Sequence, residues 1–204
     1  MTLTSEQESQ IAAAVAAAER RTAAEFAVVI TPARDDYTGF PLVWSGAIAL
    51  VAGGLTALLR PTVSMLDLCL VQGAAYALAA VLLSVLPIRA RLAPPFVRRA
   101  RAEAVAELQF AARVAERTRD GVGLLLFVSL AEHTAIIRVD HRIAAALAPS
   151  TWQTIIDDLV RDARSGRLAE AIIAAIDACA TTLAPAFPPR PNQINEIADQ
   201  VTTL

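Results

Sequence analysis

Apolar positions near the start of the chain recur at helical spacing. Ile11, Val15 and Ala18 fall on one face, and Ser5 with Glu8 fits a capping box, which predicts a helix from about Ser5 to Arg21. The run Glu25-Phe26-Ala27-Val28-Val29-Ile30-Thr31, stopped by Pro32, is too short for a helix of this kind. Its β-branched content predicts a buried strand. A polar turn, Arg34-Asp35-Asp36-Tyr37-Thr38-Gly39, follows.

The pattern then changes character. Residues 40–59 and 68–88 form two uncharged stretches of 20 and 21 residues. At ~1.5 Å per residue each covers about 30 Å, the thickness of a bilayer's hydrocarbon core. They predict a two-helix transmembrane hairpin, with Trp44 as an interfacial anchor and Gly53, Gly54 and Gly73 allowing close helix approach. Arg60 and Asp67 bound the connection between them and belong at the headgroups.

Beyond the hairpin, Pro94-Pro95 open a helix expected to run to about Arg117, with Val97, Ala104, Leu108, Ala111 and Ala115 along its apolar side. Asp120-Gly121 marks a turn. Val122 to Ser129 reads as a central strand apolar on both faces, and Thr134 to Val139 as a second strand, interrupted by Arg138. The short gap between them predicts a β-hairpin. Two helices follow, about Ser150 to Arg164 with Trp152, Ile155, Ile156, Leu159 and Val160 on one face, and about Leu168 to Leu183 with Ile172, Ile173 and Ile176 inward. The tail Pro185-Ala186-Phe187-Pro188-Pro189-Arg190-Pro191 is expected to wrap over the surface.

Composition sharpens this reading. The chain has 204 residues, 55% of them hydrophobic but only 5% aromatic, with a mean hydropathy of +0.49. Every one of the 18 basic residues is arginine, so lysine chemistry is excluded. The net charge of −2 is unevenly spread: residues 1–39 carry −3, residues 89–119 carry +5 and residues 120–204 carry −4. A basic block beside an apolar stretch marks a membrane flank, and without interleaved aromatics it does not suit nucleic acid. Arg89, Arg91, Arg98, Arg99 and Arg101 follow the second span, against Arg60 alone in the loop. The positive-inside rule then places both flanks in the cytoplasm of a bacterial inner membrane, on one side and able to fold together. No signal peptide is expected, because Thr4-Ser5-Glu6-Gln7-Glu8 is polar. Cys69 and Cys179 lack any ligand-like spacing and read as unpaired thiols.

Taken in order, several segments resemble the TPM domain: Thr22-Ala23-Ala24-Glu25 before the first strand, the run Asp120 to Leu130, Ile136 to Val139, and the closing helix pair around Trp152, Ile155, Ile156, Gly166 and Ala171-Ile172. The resemblance covers about residues 4–31 and 100–184. It implies a TPM-like sandwich of the α/β class, a mixed sheet with flanking helices, here interrupted by the transmembrane hairpin. The domains would be residues 1–39 (first part of the α/β domain), 40–88 (hairpin), 89–184 (remainder) and 185–204 (Pro-rich tail). For some members the resemblance also implies acid-phosphatase activity or calcium binding. Where many members have a Gly-x-Gly turn, this chain reads Asp140-His141-Arg142-Ile143.

No GxGxxG, P-loop, HExxH, GxSxG or EF-hand loop is present. Only His133 and His141 could shuttle protons near neutrality. Candidate metal ligands are Asp140, at a strand end beside His141, and Asp157, Asp158 and Asp162 on one helix. Asp158 and Asp162 are spaced i,i+4, as hard oxygen ligands for calcium or magnesium could be, although Arg161 suggests an ordinary polar face. Asp35-Asp36 reads as a turn. A metal site would require these acids to converge with Glu25 or His141. Two functions follow: a membrane-anchored module that binds another membrane protein in assembly, quality control or regulation, or a divalent-cation-dependent hydrolase of the acid-phosphatase type.

Overall fold

The computed structural model describes residues 3–31, 39–85, 93–115, 118, 121–130, 132–190, 197 and 202–203. The chain divides into two compact units, one of residues 1–33 with 99–204 and one of residues 34–98.

In the first unit, helix α1 (Ser5–Glu19) buries Ile11, Val15 and Ala18, the face expected from their spacing. Its cap lies one residue earlier than the Ser5–Glu8 box suggests. Thr4 is the N-cap: its Oγ1 accepts from the Gln7 N–H and the Gln7 side chain accepts from the Thr4 N–H. Both pairs satisfy the same sequence rule, and the box that forms, Thr4 with Gln7, satisfies two otherwise orphaned N–H groups.

Strand β1 (Glu25–Thr31) pairs in parallel with β2 (Gly123–Ser129), Glu25 opposite Gly123 through Thr31 opposite Ser129. Strand β3 (Thr134–Val139) runs antiparallel to β2, with Leu124 opposite Val139. A two-residue strand β4 (Thr202–Thr203) pairs in parallel with β1, so the mixed sheet has the order β3-β2-β1-β4. The sequence pattern did not reveal β4. Residues 198–201, which lead into it, lie outside the described residues.

Helices cover both faces of the sheet. One face, with Phe26, Val28, Leu124, Leu126 and Ile137, packs against α1 and the closing helices. The other, with Ala27, Val29, Leu125, Phe127 and Ile136, packs against helix α4 (Pro95–Phe110) and the π turn Ala111–Ala115 that continues it. The domain is therefore a three-layer α/β sandwich. Strands buried on both faces read as continuous apolar runs, and each fully buried Phe or Leu side chain contributes about 1.5–3 kcal/mol of burial.

Helix α4 corrects the sequence reading of its inner side. Ala102, Ala106 and Val114 are buried, whereas Ala104, Ala111 and Ala115 are exposed and Leu108 is 70% exposed. The seam is built of small residues, which lets α4 lie close to the sheet, and the larger Leu108 drew the expected stripe to the wrong face. Beyond β3 lie a short helix α5 (His141–Ala146), then α6 (Ser150–Arg164) and α7 (Leu168–Leu183). The boundaries of α6 and α7 agree with the periodicity. The tail turns back at Phe187, whose carbonyl accepts from Ala23 N–H at 2.9 Å and from the buried Thr22 Oγ1 at 2.7 Å. This strap ties the end of α7 to the entrance of β1.

The second unit is an apolar helical hairpin, α2 (Gly39–Leu59) and α3 (Met65–Val85). Both helices are long and apolar enough to cross a membrane by length and composition. Helix α3 starts earlier than its uncharged run because Ser64 and Asp67 cap it. The Asp67 N–H donates to Ser64 Oγ at 3.1 Å, and Ser64 Oγ donates to Asp67 Oδ2 at 2.7 Å. Residues 86–88, the expected end of the second span, lie outside the described residues. Buried positions on α2 recur every fourth residue, at Pro41, Ser45, Ala49 and Gly53. A Cβ on Gly53 would fall 2.2 Å from Gln72 Nε2, so the absence of a side chain there is what lets α3 approach.

The seam assignment on α4 is testable. Ala106→Leu should destabilise the α/β unit by about 1–3 kcal/mol through overpacking, while Leu108→Ala should change stability by less than about 0.5 kcal/mol. Urea unfolding of the full chain in detergent, followed by circular dichroism, compares the two. A larger loss from the Leu108 variant would reverse the assignment.

Candidate functional site

Two features of the α/β unit bring polar groups together. The first is a corner at the carboxyl end of β3. The Asp140 N–H donates to the Gly123 carbonyl at 2.9 Å, which extends the β2–β3 ladder by one bond and fixes the residue. Asp140 is also the N-cap of α5, with φ −70° and ψ 165°. Its Oδ1 accepts from the His141 N–H at 2.6 Å and meets His141 Nδ1 at 2.7 Å, and its Oδ2 accepts from Thr118 Oγ1 at 2.8 Å.

Adjacent residues of a strand would point to opposite faces. Here the chain enters α5 between Asp140 and His141, and the turn brings both side chains together. Thr118 arrives through the π turn, since its N–H donates to the Val114 carbonyl at 3.0 Å. Neither the pairing of Thr118 with Asp140 nor helix α5 was visible in the sequence, where residues 140–143 read as a plain turn. The imidazole of His141 lies over Gly121, which has φ +65°, and a Cβ there would fall 2.1 Å from His141 Cε1. Glycine at 121 therefore serves both the left-handed backbone and the space for the ring.

Burial alone would raise the pKa of Asp140. The hydrogen bonds from the His141 N–H, the His141 ring and Thr118 outweigh it, together with the attraction of the His141 charge, and hold the carboxyl below its ordinary value of 3.8. The side chain of His141 is 76% exposed, so the pair presents an oriented imidazole to solvent.

The other sequence candidates lie elsewhere on α6 and do not share this corner's hydrogen bonds. Asp157 accepts from Gln153 Nε2 at 2.8 Å, Asp158 pairs with Arg161 at 2.7 Å, and Asp162 sits 3.7 Å from Arg161 and 3.5 Å from Arg167. Glu25 is buried and its Oε2 accepts from the Ile197 N–H at 3.3 Å. Among the described residues, no three His, Cys, Asp or Glu side chains form a group that could hold a metal ion. Both carboxylate oxygens of Asp140 already accept hydrogen bonds, so a cation there would have to displace His141 or Thr118. Asp35 and Asp36 lie outside the described residues. Of the thiols, Cys179 is buried, which pushes its pKa up to about 12, and Cys69 is exposed on α3.

The second feature is a groove of about 640 Å³ along β3. Thr134 to Val139 form its floor. Arg99 and Glu103 of α4 stand on one side, and Trp152, Gln153, Asp157 and Arg164 of α6 on the other. His133, at φ +51°, sits at the start of the floor. This size falls within the ordinary range of binding pockets. The sequence analysis did not find the groove, because periodicity does not distinguish an edge strand from a central one. The available signal was Arg138, since charge inside an apolar strand is a common device of sheet edges.

Against known proteins, residues 96–182 match the family model of the TPM domain, so a TPM domain is present over the stretch from α4 to α7. Among solved structures, the NMR structure of the BA42 protein from the psychrophilic bacterium Bizionia argentinensis is similar. It shares 17% identity and a TM-score of 0.59, over 100% of this chain and 96% of that one. At that identity the likeness speaks for the fold. No curated protein matches.

The Asp140 corner predicts a pH-dependent contribution to stability. Because the folded pKa is depressed, the stabilisation is present above 3.8 and is lost as pH falls through the lower folded value. Asp140→Ala should cost about 1 kcal/mol at pH 7, the usual worth of an N-cap. The gap in urea midpoint between wild type and variant should narrow as pH falls below 3.8; a gap that stays constant down to the acid unfolding of the chain would contradict the assignment. Gly121→Ala should also lower stability, by about 1–2 kcal/mol, from left-handed strain, and would leave the midpoint unchanged if the turn opened freely.

Proposed function

We propose that this chain is a membrane-anchored TPM-domain protein of a bacterial inner membrane whose α/β unit acts by binding, in the assembly, quality control or regulation of a membrane partner. The observation that carries this reading is how the apolar surface is distributed. Of the twenty exposed large apolar side chains among the described residues, eighteen lie on α2 and α3, including Leu50, Val51, Leu58, Leu66 and Leu78. Exposed apolar surface on that scale calls for a partner phase, and for two helices of 21 residues a bilayer is the fitting one. The +5 charge of residues 89–119 supports an orientation with both termini in the cytoplasm. The α/β unit, with its groove along β3, then works at the membrane surface.

A second reading has one observation in its favour, the oriented His141 imidazole held by Asp140. It is the divalent-cation-dependent hydrolase, with Asp140, Asp157, Asp158 and Asp162 as the acids and calcium or magnesium as the cation. One set of measurements separates the readings. Carbonate washing at alkaline pH should leave the chain in the membrane fraction, and protease added outside spheroplasts should leave the α/β unit intact. Purified protein in detergent should give no turnover of p-nitrophenyl phosphate above buffer, with or without Ca²⁺ or Mg²⁺. Cation-dependent turnover that Asp140→Ala or Asp158→Ala abolishes would replace the binding reading with the hydrolase. Release by carbonate would remove the anchor.

A further inference from the structure

Among the described residues, strand β3 is the end strand of the sheet, paired with β2 alone. At the opposite end, β1 receives β4 from the chain's own terminus, so that side of the sheet is extended while the β3 side is not. The faces of β3 are not what is open. Ile136 is buried towards α4, and Ala135 and Ile137 are buried towards the closing helices. What remains is the strand's outer edge, and the groove of about 640 Å³ runs along it between α4 and α6. In an antiparallel pair, alternate residues turn their N–H and C=O groups away from the partner. The groove floor therefore offers a row of backbone donors and acceptors over six residues, about 20 Å at ~3.3 Å per residue.

Charge says what fits. Arg99 is paired with Glu103 at 3.1 Å and Arg138 with Glu107 at 3.3 Å. Asp157 keeps its charge, its Oδ1 accepting from the neutral amide of Gln153. Arg164 has no acidic partner among the described residues, and it is exposed at the groove wall. A second copy of this chain is a poor occupant, because its own β3 would bring the same flanking residues of α4 and α6 with it. A single extended segment has no such flanks.

We propose that the β3 groove binds an extended, mainly apolar segment of a partner protein, which adds to the sheet as a strand and places a carboxylate against Arg164. This deepens the binding function proposed above and rests on it. Backbone pairing gives the affinity, and alternate side chains settle against the half-buried Val139, Ile156 and Val160.

The test uses the full chain in detergent and synthetic octapeptides of alternating valine and threonine with one glutamate, read by fluorescence anisotropy. A lysine-substituted peptide and one N-methylated at alternate backbone nitrogens are the controls. The glutamate peptide should bind saturably and at least tenfold better than the lysine peptide, and N-methylation should abolish binding. Arg164→Glu, on an exposed helix position, should reverse the preference between the glutamate and lysine peptides. Equal binding of the N-methylated peptide, no saturable binding of any peptide, or an unchanged preference in the variant would each overturn the proposal. Photo-crosslinking from Gln153 and from an α3 position in native membranes separates this failure from that of the binding function. A membrane protein captured from α3 but not from Gln153 leaves the function standing without the groove. Capture from neither, with cation-dependent phosphatase turnover, removes both.

Discussion

The parallel pairing of Glu25–Thr31 with Gly123–Ser129 constrains most of the rest. Parallel strands cannot be joined by a tight turn, so the chain must leave the end of β1 and return to the start of β2 by a crossover. In this chain the crossover contains both the apolar hairpin and α4. The hairpin can be accommodated because the crossover is already long, and closing a longer loop costs only about 0.6 kcal/mol per doubling. Helix α4 then supplies the cover for the face of the sheet that carries Val29, Leu125 and Phe127. Because β1 and β2 are buried on both faces, the opposite face needs cover as well, and α1, α6 and α7 provide it. The three layers follow from one pairing.

That logic explains which parts of the fold were legible in the sequence. β1 and β2 were legible because their residues must be apolar on both sides, which leaves a short run with no helical stripe, and β3 because Ala135, Ile136 and Ile137 are buried on alternate faces despite Arg138. The inner faces of α1 and α7 were legible because their burial falls at i, i+3 and i+4 through Ile11, Val15, Ala18, Ile172 and Ile176. Helix α4 was legible in extent but not in orientation. Its seam consists of Ala102 and Ala106, and alanine is compatible with either side of a helix, whereas Leu108 suggested burial it does not have. The cap of α1 slipped by one residue because Thr4 and Ser5 each begin an acceptable box. β4 carries no signal at all: two threonines near the chain end become a strand only because β1 has an open side to receive them.

The candidate site divides in the same manner. Asp140 and His141 could be named from composition and position, but their convergence depends on the chain entering α5 between them, a local event that periodicity does not encode. Thr118 depends on the π turn at the end of α4, which shifts the following residues relative to a regular helix. The acids of α6 were named by spacing alone, and that spacing is equally the pattern of a solvated face. Arg161 sits between Asp158 and Asp162 and meets both.

The β3 side of the sheet shows why an open edge does not imply uncontrolled association. An unprotected edge strand invites pairing with any other, and Arg138 near the end of β3, tied to Glu107, is one of the ordinary guards against it. The helices α4 and α6 are a second guard, since both contribute side chains that line the groove along this edge. Together they restrict access without closing it, and the selection falls on width and charge. A narrow extended chain passes, and one bearing a carboxylate finds Arg164. Placed at a bilayer surface, such a groove would meet the juxtamembrane segments of neighbouring proteins at an effective concentration set by the shared membrane, so modest affinity for a short strand would be sufficient for selective capture.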